Sequence, residues 1–365
     1  MCNTDNIKVS VIMPIYNAYD YLRPAMDSVI YQTLKEVEII CIDDGSTDHS
    51  LDIIKEYQKA DPRIRIVTEN NAGPAIARNK GLVRARGKYV IFLDADDFYE
   101  PTLLESLYEL SEEKGLDIAV TDYDIYNNRK ATFVPMIKSE HADLFDGGKV
   151  ISKNEHPDEI FQTVTNYVWN KMFRLEFLRE KNLSFNEDLR VFEDVYFVMS
   201  ALSLAAGVGK TNGTLIHHRV YSAQQKNKLF KKYYTQVPVL YNLLKEFLMR
   251  KGMYAPLSQS FLNLSSSRCY KIYNTLWKDA KEQYWDLLHN EYAEKLGWHA
   301  ANPDDFELEE VRDFTASVIM YNHKQQLKRQ DLGLKVSIGR VGNFIKNMRF
   351  KKRFRDFFKR KKDQG

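Results

Sequence analysis

The sequence predicts an α/β fold, a mainly parallel sheet flanked by helices and followed by a helical C-terminal region. Three observations carry this. Over the first 125 residues, short β-branched runs alternate with segments of helical spacing, the pattern of βαβ units. Two acidic clusters, 43–48 and 94–97, stand directly behind such runs, where open sheets of this kind place their ligands. Residues 228–330 then show helical periodicity, with Leu240, Leu243, Leu244, Phe247 and Leu248 on spacing.

In chain order, Lys8–Met13 reads as the first strand. Tyr19–Gln32 reads as a helix through Leu22, Met26, Val29 and Ile30. Glu38–Ile42 is a second apolar run, ended by Asp43-Asp44-Gly45-Ser46-Thr47-Asp48, which also supplies caps for a helix at Leu51–Lys59. Ile64–Thr68 is a third strand. Pro74–Arg86 is a helix whose early proline suits a first turn. Tyr89–Leu93, Pro101–Lys114 and Ile118–Tyr123 continue the alternation. Residues 127–165 are less regular, with Asp146-Gly147-Gly148, and read as an insertion or acceptor-side loop; 166–222 look mixed.

With 365 residues and 44% hydrophobic content, the chain can bury a sizeable core. Its net charge of +3 is unevenly spread. Segment 340–362 carries eleven Lys/Arg against one Asp, and Asp363 follows, so residues 1–339 hold a net −6. The three cysteines, Cys2, Cys41 and Cys269, are far apart and form no CxxC pair, which argues against a zinc site or disulfide framework and for a reducing compartment. The N-terminus is polar and lacks a signal-peptide pattern. The longest uncharged stretch, Val195–Gly209, is too short to span a bilayer, which needs about 20 apolar residues. The expectation is a cytoplasmic protein, peripheral on the cytoplasmic face of the membrane.

Asp94-Ala95-Asp96-Asp97 crowds three carboxylates at the end of one apolar strand. Like charges repel and are costly to desolvate, and a divalent cation removes that cost. Oxygen-only ligands favour Mg2+ or Mn2+, which commonly bridge carboxylates to phosphates. The competing reading is a set of caps before the helix at Pro101. Asp44, at the end of another strand, can accept from a nucleotide base or ribose, or serve a turn that caps the next helix. Arg78, in the helix opened by Gly73-Pro74, can bind a phosphate with its two-point guanidinium or stand solvated on a helix face.

Taken together, these features resemble the nucleotide-sugar-binding domain of family-two glycosyltransferases, inverting enzymes with the A-type (GT-A) fold, of the type that builds bacterial cell-surface polysaccharides. The resemblance runs through Val11-Ile12-Met13-Pro14-Ile15-Tyr16-Asn17, Ser28-Val29-Ile30-Tyr31-Gln32-Thr33, Ile42-Asp43-Asp44-Gly45-Ser46-Thr47-Asp48, Ala77-Arg78-Asn79-Lys80-Gly81, Gly87-Lys88-Tyr89 and Phe92-Leu93-Asp94-Ala95-Asp96-Asp97. It implies that Pro14 and Tyr16 line the base pocket, that Asp44 accepts from the base (most often a uracil, hence a UDP-linked donor), and that Arg78 lies near the donor phosphates or sugar. Asp94, Ala95 and Asp96 form the DxD. There Asp96 is the metal ligand, Asp94 the contact to ribose or sugar and a further candidate ligand, and Asp97 a residue that can share the metal. Further on, Trp169-Asn170-Lys171-Met172-Phe173-Arg174 and Phe192-Glu193-Asp194-Val195-Tyr196-Phe197 resemble the family's later signature. This implies Asp194 as general base with Glu193 as its fallback, since inverting transfer needs a carboxylate on the acceptor side. Trp169 is either a wall of the acceptor site or a core residue. In His217-His218-Arg219-Val220-Tyr221-Ser222, His218 can complete the metal shell or serve structure only.

The domain reading is a catalytic domain over 1–225 (donor binding 1–125, acceptor side and base 126–225), a helical region over 226–338, and a basic tail over 339–365. In the tail, Val341, Phe344, Ile345 and Met348 share one helical face and Phe350, Phe354, Phe357 and Phe358 the other, suggesting a helix broken near Arg349. Such a segment suits an anionic membrane surface. Nucleic acid ranks below that because the rest of the chain is anionic, and a solubilising tail is the bland alternative. The expected partners are a nucleotide-sugar donor and a glycan or lipid-linked oligosaccharide acceptor, with no nucleic acid. Two other functions compete. A nucleotidyltransferase would carry a Gly-rich basic loop after the first strand, where this chain reads Pro14-Ile15-Tyr16-Asn17-Ala18. A non-catalytic binding protein would not need the full set Asp44, Asp94, Asp96 and Asp194.

Overall fold

The computed structural model describes residues 6–128, 130–136, 139–220, 232–302, 305–321 and 325–326. The tail read above as an amphipathic helix lies outside these residues. The chain divides into two compact units, residues 1–229 and 230–365.

The first unit is built on a nine-stranded sheet. Strands β1 (Val9–Ile15), β2 (Val37–Asp43), β3 (Ile64–Thr68) and β4 (Tyr89–Phe92) form its parallel half, in the order β3-β2-β1-β4. Every residue of β2 and β4 is buried, as expected for parallel strands covered on both faces. Helices α1 (Tyr19–Ile30), α2 (Ser50–Ala60), α3 (Pro74–Arg84) and α4 (Leu103–Lys114) supply the crossovers. Helix α1 turns Leu22, Ala25, Met26 and Val29 inward, and α4 stops at Gly115 in the left-handed region.

The other half of the sheet is mixed. Strand β5 (Phe98–Tyr99) follows the second acidic cluster at once. Then come β6 (Ile118–Asn127), β7 (Thr132–Pro135), β8 (Lys171–Arg174) and β9 (Val208–Val220). Strand β8 lies antiparallel between β4 and β6. Strand β9 runs parallel to β6 and antiparallel to β5, with Phe98 opposite His217. The sequence alternation therefore continues into the structure for the parallel half, while β5, β8 and β9 insert segments with no clear period. Helices α5 (Leu175–Lys181) and α6 (Glu193–Leu202) complete this unit.

The second unit is helical where it is described: α7 (Gln236–Arg250), α8 (Ser258–Thr275), α9 (Lys278–Leu287), continuing through a π-helical turn at Leu288–Tyr292, and α10 (Glu309–Met320). Tyr241, Tyr284, Trp285 and Trp298 are buried within it.

Candidate active site

Register places the site. Ile15 stands opposite Asp43, and Ile12 opposite Phe92. The carboxyl ends of β1, β2 and β4 therefore lie along one edge, bringing Tyr16, Asp44 and Asp94 to it. Pro14 is the penultimate residue of β1, and Tyr16 just beyond the strand is 50% exposed. Asn17 adopts a left-handed φ of 48°. Its side-chain oxygen accepts from the Thr47 N–H at 2.8 Å, so the first two strand ends are tied together. Asp48 accepts from the N–H groups of Tyr19 and Ser50, serving the starts of α1 and α2 at once.

Asp44 is buried, and its two oxygens accept from the N–H groups of Ala72 and Gly73, at 2.7 and 2.9 Å. It thus folds the loop that leads into α3. Gly45 makes this possible: its φ is +72°, and a Cβ there would sit 2.8 Å from the Asn71 backbone nitrogen.

Helix α3 delivers Arg78, buried rather than solvated. Its Nη1 donates to Glu193 at 2.7 Å and its Nη2 to Asp94 at 3.0 Å, while the guanidinium lies over the Phe185 ring at 5.5 Å. Burial alone would weaken its charge, but Asp94, Glu193 and Asp194 around it raise its pKa. One cation thus joins the end of β4 to the start of α6. Phe192, just before Glu193, has a φ of 65°, unusual for a bulky residue, and this left-handed turn aims Glu193 and Asp194 into the site.

The carboxylates of Asp94, Asp96 and Asp97 offer three oxygens that all lie within 4.8 Å of one another. Ala95 between them is buried. Burial first, then repulsion from Asp97 and Asp94, pushes Asp96 up to about 7. Asp97 is fully buried; its pKa is raised by burial, against the opposing pull of His218. The cluster is thus short of positive charge, and its all-oxygen donor set fits Mg2+ or Mn2+. His218 Nδ1 meets Asp97 at 3.0 and 3.1 Å, and the Arg219 N–H donates to Asp97 at 2.8 Å. The antiparallel pairing of β5 with β9 brings these residues to the cluster. Arg219 also donates from Nε to the Asp96 carbonyl at 2.9 Å, and its guanidinium lies over Tyr21, Phe98 and Tyr126. Sequence reasoning assigned Arg219 no role; its place in a His-His-Arg strand opposite the acidic turn was the available signal.

Burial first, then repulsion from Glu193, pushes Asp194 up to about 7, against the pull of Arg78. Trp169 is only 3% exposed, so it belongs to the wall behind the site, and the ring that reaches solvent is Tyr167, at 41%. Trp169 stacks on Tyr167 and on His218, each at 5.0 Å. The structure therefore gathers Arg78, Asp94, Glu193 and Asp194 in one cluster, and Asp96, Asp97, His218 and Trp169 in an adjoining one.

The family model described as Glycosyl transferase family 2 matches residues 10–180. The chain is 34% identical over 204 residues to the uncharacterized glycosyltransferase EpsJ of Bacillus subtilis, covering 55% of this chain and 57% of that protein. It is 31% identical over 272 residues to the uncharacterized glycosyltransferase YibD of Escherichia coli, covering 70% of this chain and 76% of that one. The alignment to EpsJ thus spans little more than half of that protein's length. Among solved structures, residues 1–349 of S. aureus TarS in complex with UDP-GlcNAc match with a TM-score of 0.69 and 19% identity, over 90% of this chain and 92% of that one. At that identity the likeness concerns the fold, which is the A-type glycosyltransferase fold. By sequence, the chain belongs to glycosyl transferase family 2.

Proposed function

We propose that this chain transfers a sugar from a nucleotide-sugar, UDP-linked, to a hydroxyl of a glycan or lipid-linked oligosaccharide, with inversion at the anomeric carbon. One observation carries the reading: buried Arg78 ties Asp94 of the acidic turn to Glu193, the neighbour of Asp194. Donor-side and acceptor-side carboxylates are thereby held in one cluster.

Asp194 acts as the base. Its carboxylate takes the proton of the acceptor hydroxyl while that oxygen bonds to the anomeric carbon. The bond from that carbon to the diphosphate breaks on the opposite face, and its electron pair leaves with the nucleoside diphosphate. A base poised near 7 is matched to this task at neutral pH. Glu193, engaged by Arg78, is the positioning neighbour and the fallback base.

Exposed Tyr16 offers its ring to the base beside Pro14. Asp44 shapes the loop before α3 and keeps lone pairs for the base. Asp94 and Asp96, with Asp97 and His218 behind them, would hold Mn2+ or Mg2+, which when bound supplies positive charge to the leaving diphosphate. In this reading residues 1–125 bind the donor, and 126–225 carry the base and an acceptor wall formed by Tyr167 and backed by buried Trp169. The complex of TarS with UDP-GlcNAc supports a UDP-linked donor by fold analogy.

No helix among the described residues is long and apolar enough to cross a membrane. The eleven Lys/Arg in 340–362 support reversible attachment to an anionic surface, where a lipid-linked acceptor would be presented.

A panel of UDP-, GDP- and TDP-sugars, with and without Mn2+, tests the reading. Release of nucleoside diphosphate from a UDP-sugar, with an inverted product anomer, is expected. Turnover of none of them, or a retained anomer, overturns it.

A further inference from the structure

Lys171 opens β8 with its side chain fully buried. Burying an ammonium is costly unless its donors are satisfied. Here Nζ donates to the Thr165 carbonyl at 2.7 Å, the Tyr167 carbonyl at 2.6 Å and the Asn170 side-chain oxygen at 2.7 Å. Three acceptors use all three N–H groups, which only the charged form possesses. Burial pulls its pKa down to about 7, and Asp194 opposes that pull.

What the ammonium holds is specific. Residues 165–170 form no helix or strand, so the Thr165 and Tyr167 carbonyls have no ladder to pair them. Lys171 supplies them, and Asn170 donates in turn to the Thr121 carbonyl at 2.9 Å. The segment so pinned carries Tyr167 and Trp169. Their rings lie 17° from parallel, and Trp169 lies 15° from the His218 ring. Tyr123 packs T-shaped against Trp169, with centroids 4.5 Å apart. The stack sets the plane of His218, whose Nδ1 meets Asp97 in the acidic cluster.

We propose that Lys171 is a positioning residue for the donor site: by pinning 165–170 it sets the Tyr167–Trp169–His218 stack, and through His218 the placement of Asp97 beside Asp94 and Asp96. This rests on the reading of that cluster as the cation and donor site. It assigns the lysine of the Trp-Asn-Lys run a role in donor binding although its ammonium faces backbone oxygens, not ligand.

Lys171→Met keeps the length and removes the donors. Three measurements on the full chain decide the matter: far-UV circular dichroism for the fold, near-UV circular dichroism for the ring stack, and calorimetric titration with UDP in the presence of Mn2+. The expected result is a folded variant with a reduced near-UV signal and UDP affinity lowered about tenfold or more, the scale of losses behind a metal site. A folded variant with wild-type spectrum and affinity overturns the proposal. A lost ring signal with unchanged affinity also overturns it, because the link to the cluster is then broken. Should Lys171→Met not fold, Asn170→Ala removes one of the three acceptors. It is expected to shift both readouts in the same direction by less, and wild-type values in both overturn the proposal. Wild-type protein that does not bind UDP would refute the donor reading instead, leaving the near-UV comparison to decide whether Lys171 sets the stack.

Discussion

Arg78 and Glu193 stand 115 positions apart in the chain and meet at 2.7 Å in the interior of the first unit. Nη2 of the same guanidinium reaches Asp94. This is the contact through which helix α3, strand β4 and helix α6 share one electrostatic site. Arg78→Met should leave Glu193 buried without its partner, at a cost of about 3–5 kcal/mol, and should also release Asp94. Thermal unfolding and UDP binding measured on the same variant check this. Arg78→Lys is expected to rescue only part of either, since an ammonium cannot bridge two carboxylates in the guanidinium's planar fork. Wild-type stability in Arg78→Met would remove the bridge from the account.

The acidic cluster leads to a second expectation. Asp96→Asn removes a carboxylate whose charge is raised in energy by burial, Asp97 and Asp94. The folded protein should be no less stable, because the repulsion is relieved. Cation-dependent UDP binding should be lost. Thermal shift with and without Mn2+ separates the two effects: wild type should gain stability from Mn2+ with UDP, and Asp96→Asn should not. Full turnover in excess chelator would remove the metal from the reading.

Asp194 should govern the pH dependence. Its carboxyl is pushed up to about 7, and only the ionised form accepts a proton. Turnover at saturating donor and Mn2+ should therefore fall as pH drops through about 7 and level off above it. Asp194→Asn should lower kcat by orders of magnitude with little change in donor affinity, because the lost interaction belongs to the transition state. If Glu193→Gln is the crippled variant and Asp194→Asn stays near wild type, the roles are exchanged.

Much of the parallel half of the sheet was legible because its strands are apolar, β-branched runs separated by helical spacing, and parallel pairing then puts the ends of β1, β2 and β4 together. Strand β8 was not. Its four residues, Lys171–Arg174, fall in a stretch that looks only mixed, and they open on a lysine, a residue almost never buried unless paired. Its partners are carbonyls of an irregular segment, and no side-chain pattern announces a carbonyl. The acidic turn could be read as a site and His218 as a candidate neighbour, but Arg219 could not. His218 and Arg219 reach Asp97 only because two residues, Phe98 and Tyr99, pair with β9. A two-residue strand has no period to detect. Arg78 was legible as an anion-binding residue; that it is occupied by two carboxylates of this chain depends on the approach of α6.

Gly45 tests the loop that Asp44 holds. Gly45→Ala places a Cβ against the Asn71 backbone at 2.8 Å, and does so at a positive φ that costs a residue with a side chain about 1–2 kcal/mol. The obstacle is main chain and cannot rotate away. The expected result is a lower Tm and weaker UDP binding together, because the 70–73 loop must move and with it the start of α3. Unchanged UDP affinity would detach the loop from the donor pocket.

The last expectation concerns residues 340–365, whose charge is read from the sequence alone. Segment 340–362 has a net +10 and the preceding chain a net −6. Attraction to an anionic surface should therefore come from this segment. A basic residue near such a surface contributes about 1 kcal/mol, and the effect fades within a Debye length of about 10 Å at 0.1 M salt. Deleting 340–365 should abolish co-sedimentation with vesicles containing phosphatidylglycerol while leaving UDP binding intact, because the Asp44, Asp94 and Asp96 site lies in the first unit. For the full chain, raising salt should weaken pelleting without ending it, since Phe350, Phe354, Phe357 and Phe358 offer apolar area that salt does not screen. Complete release by salt would assign the association to charge alone. Equal pelleting of the two proteins at low salt would take the membrane role away from the tail.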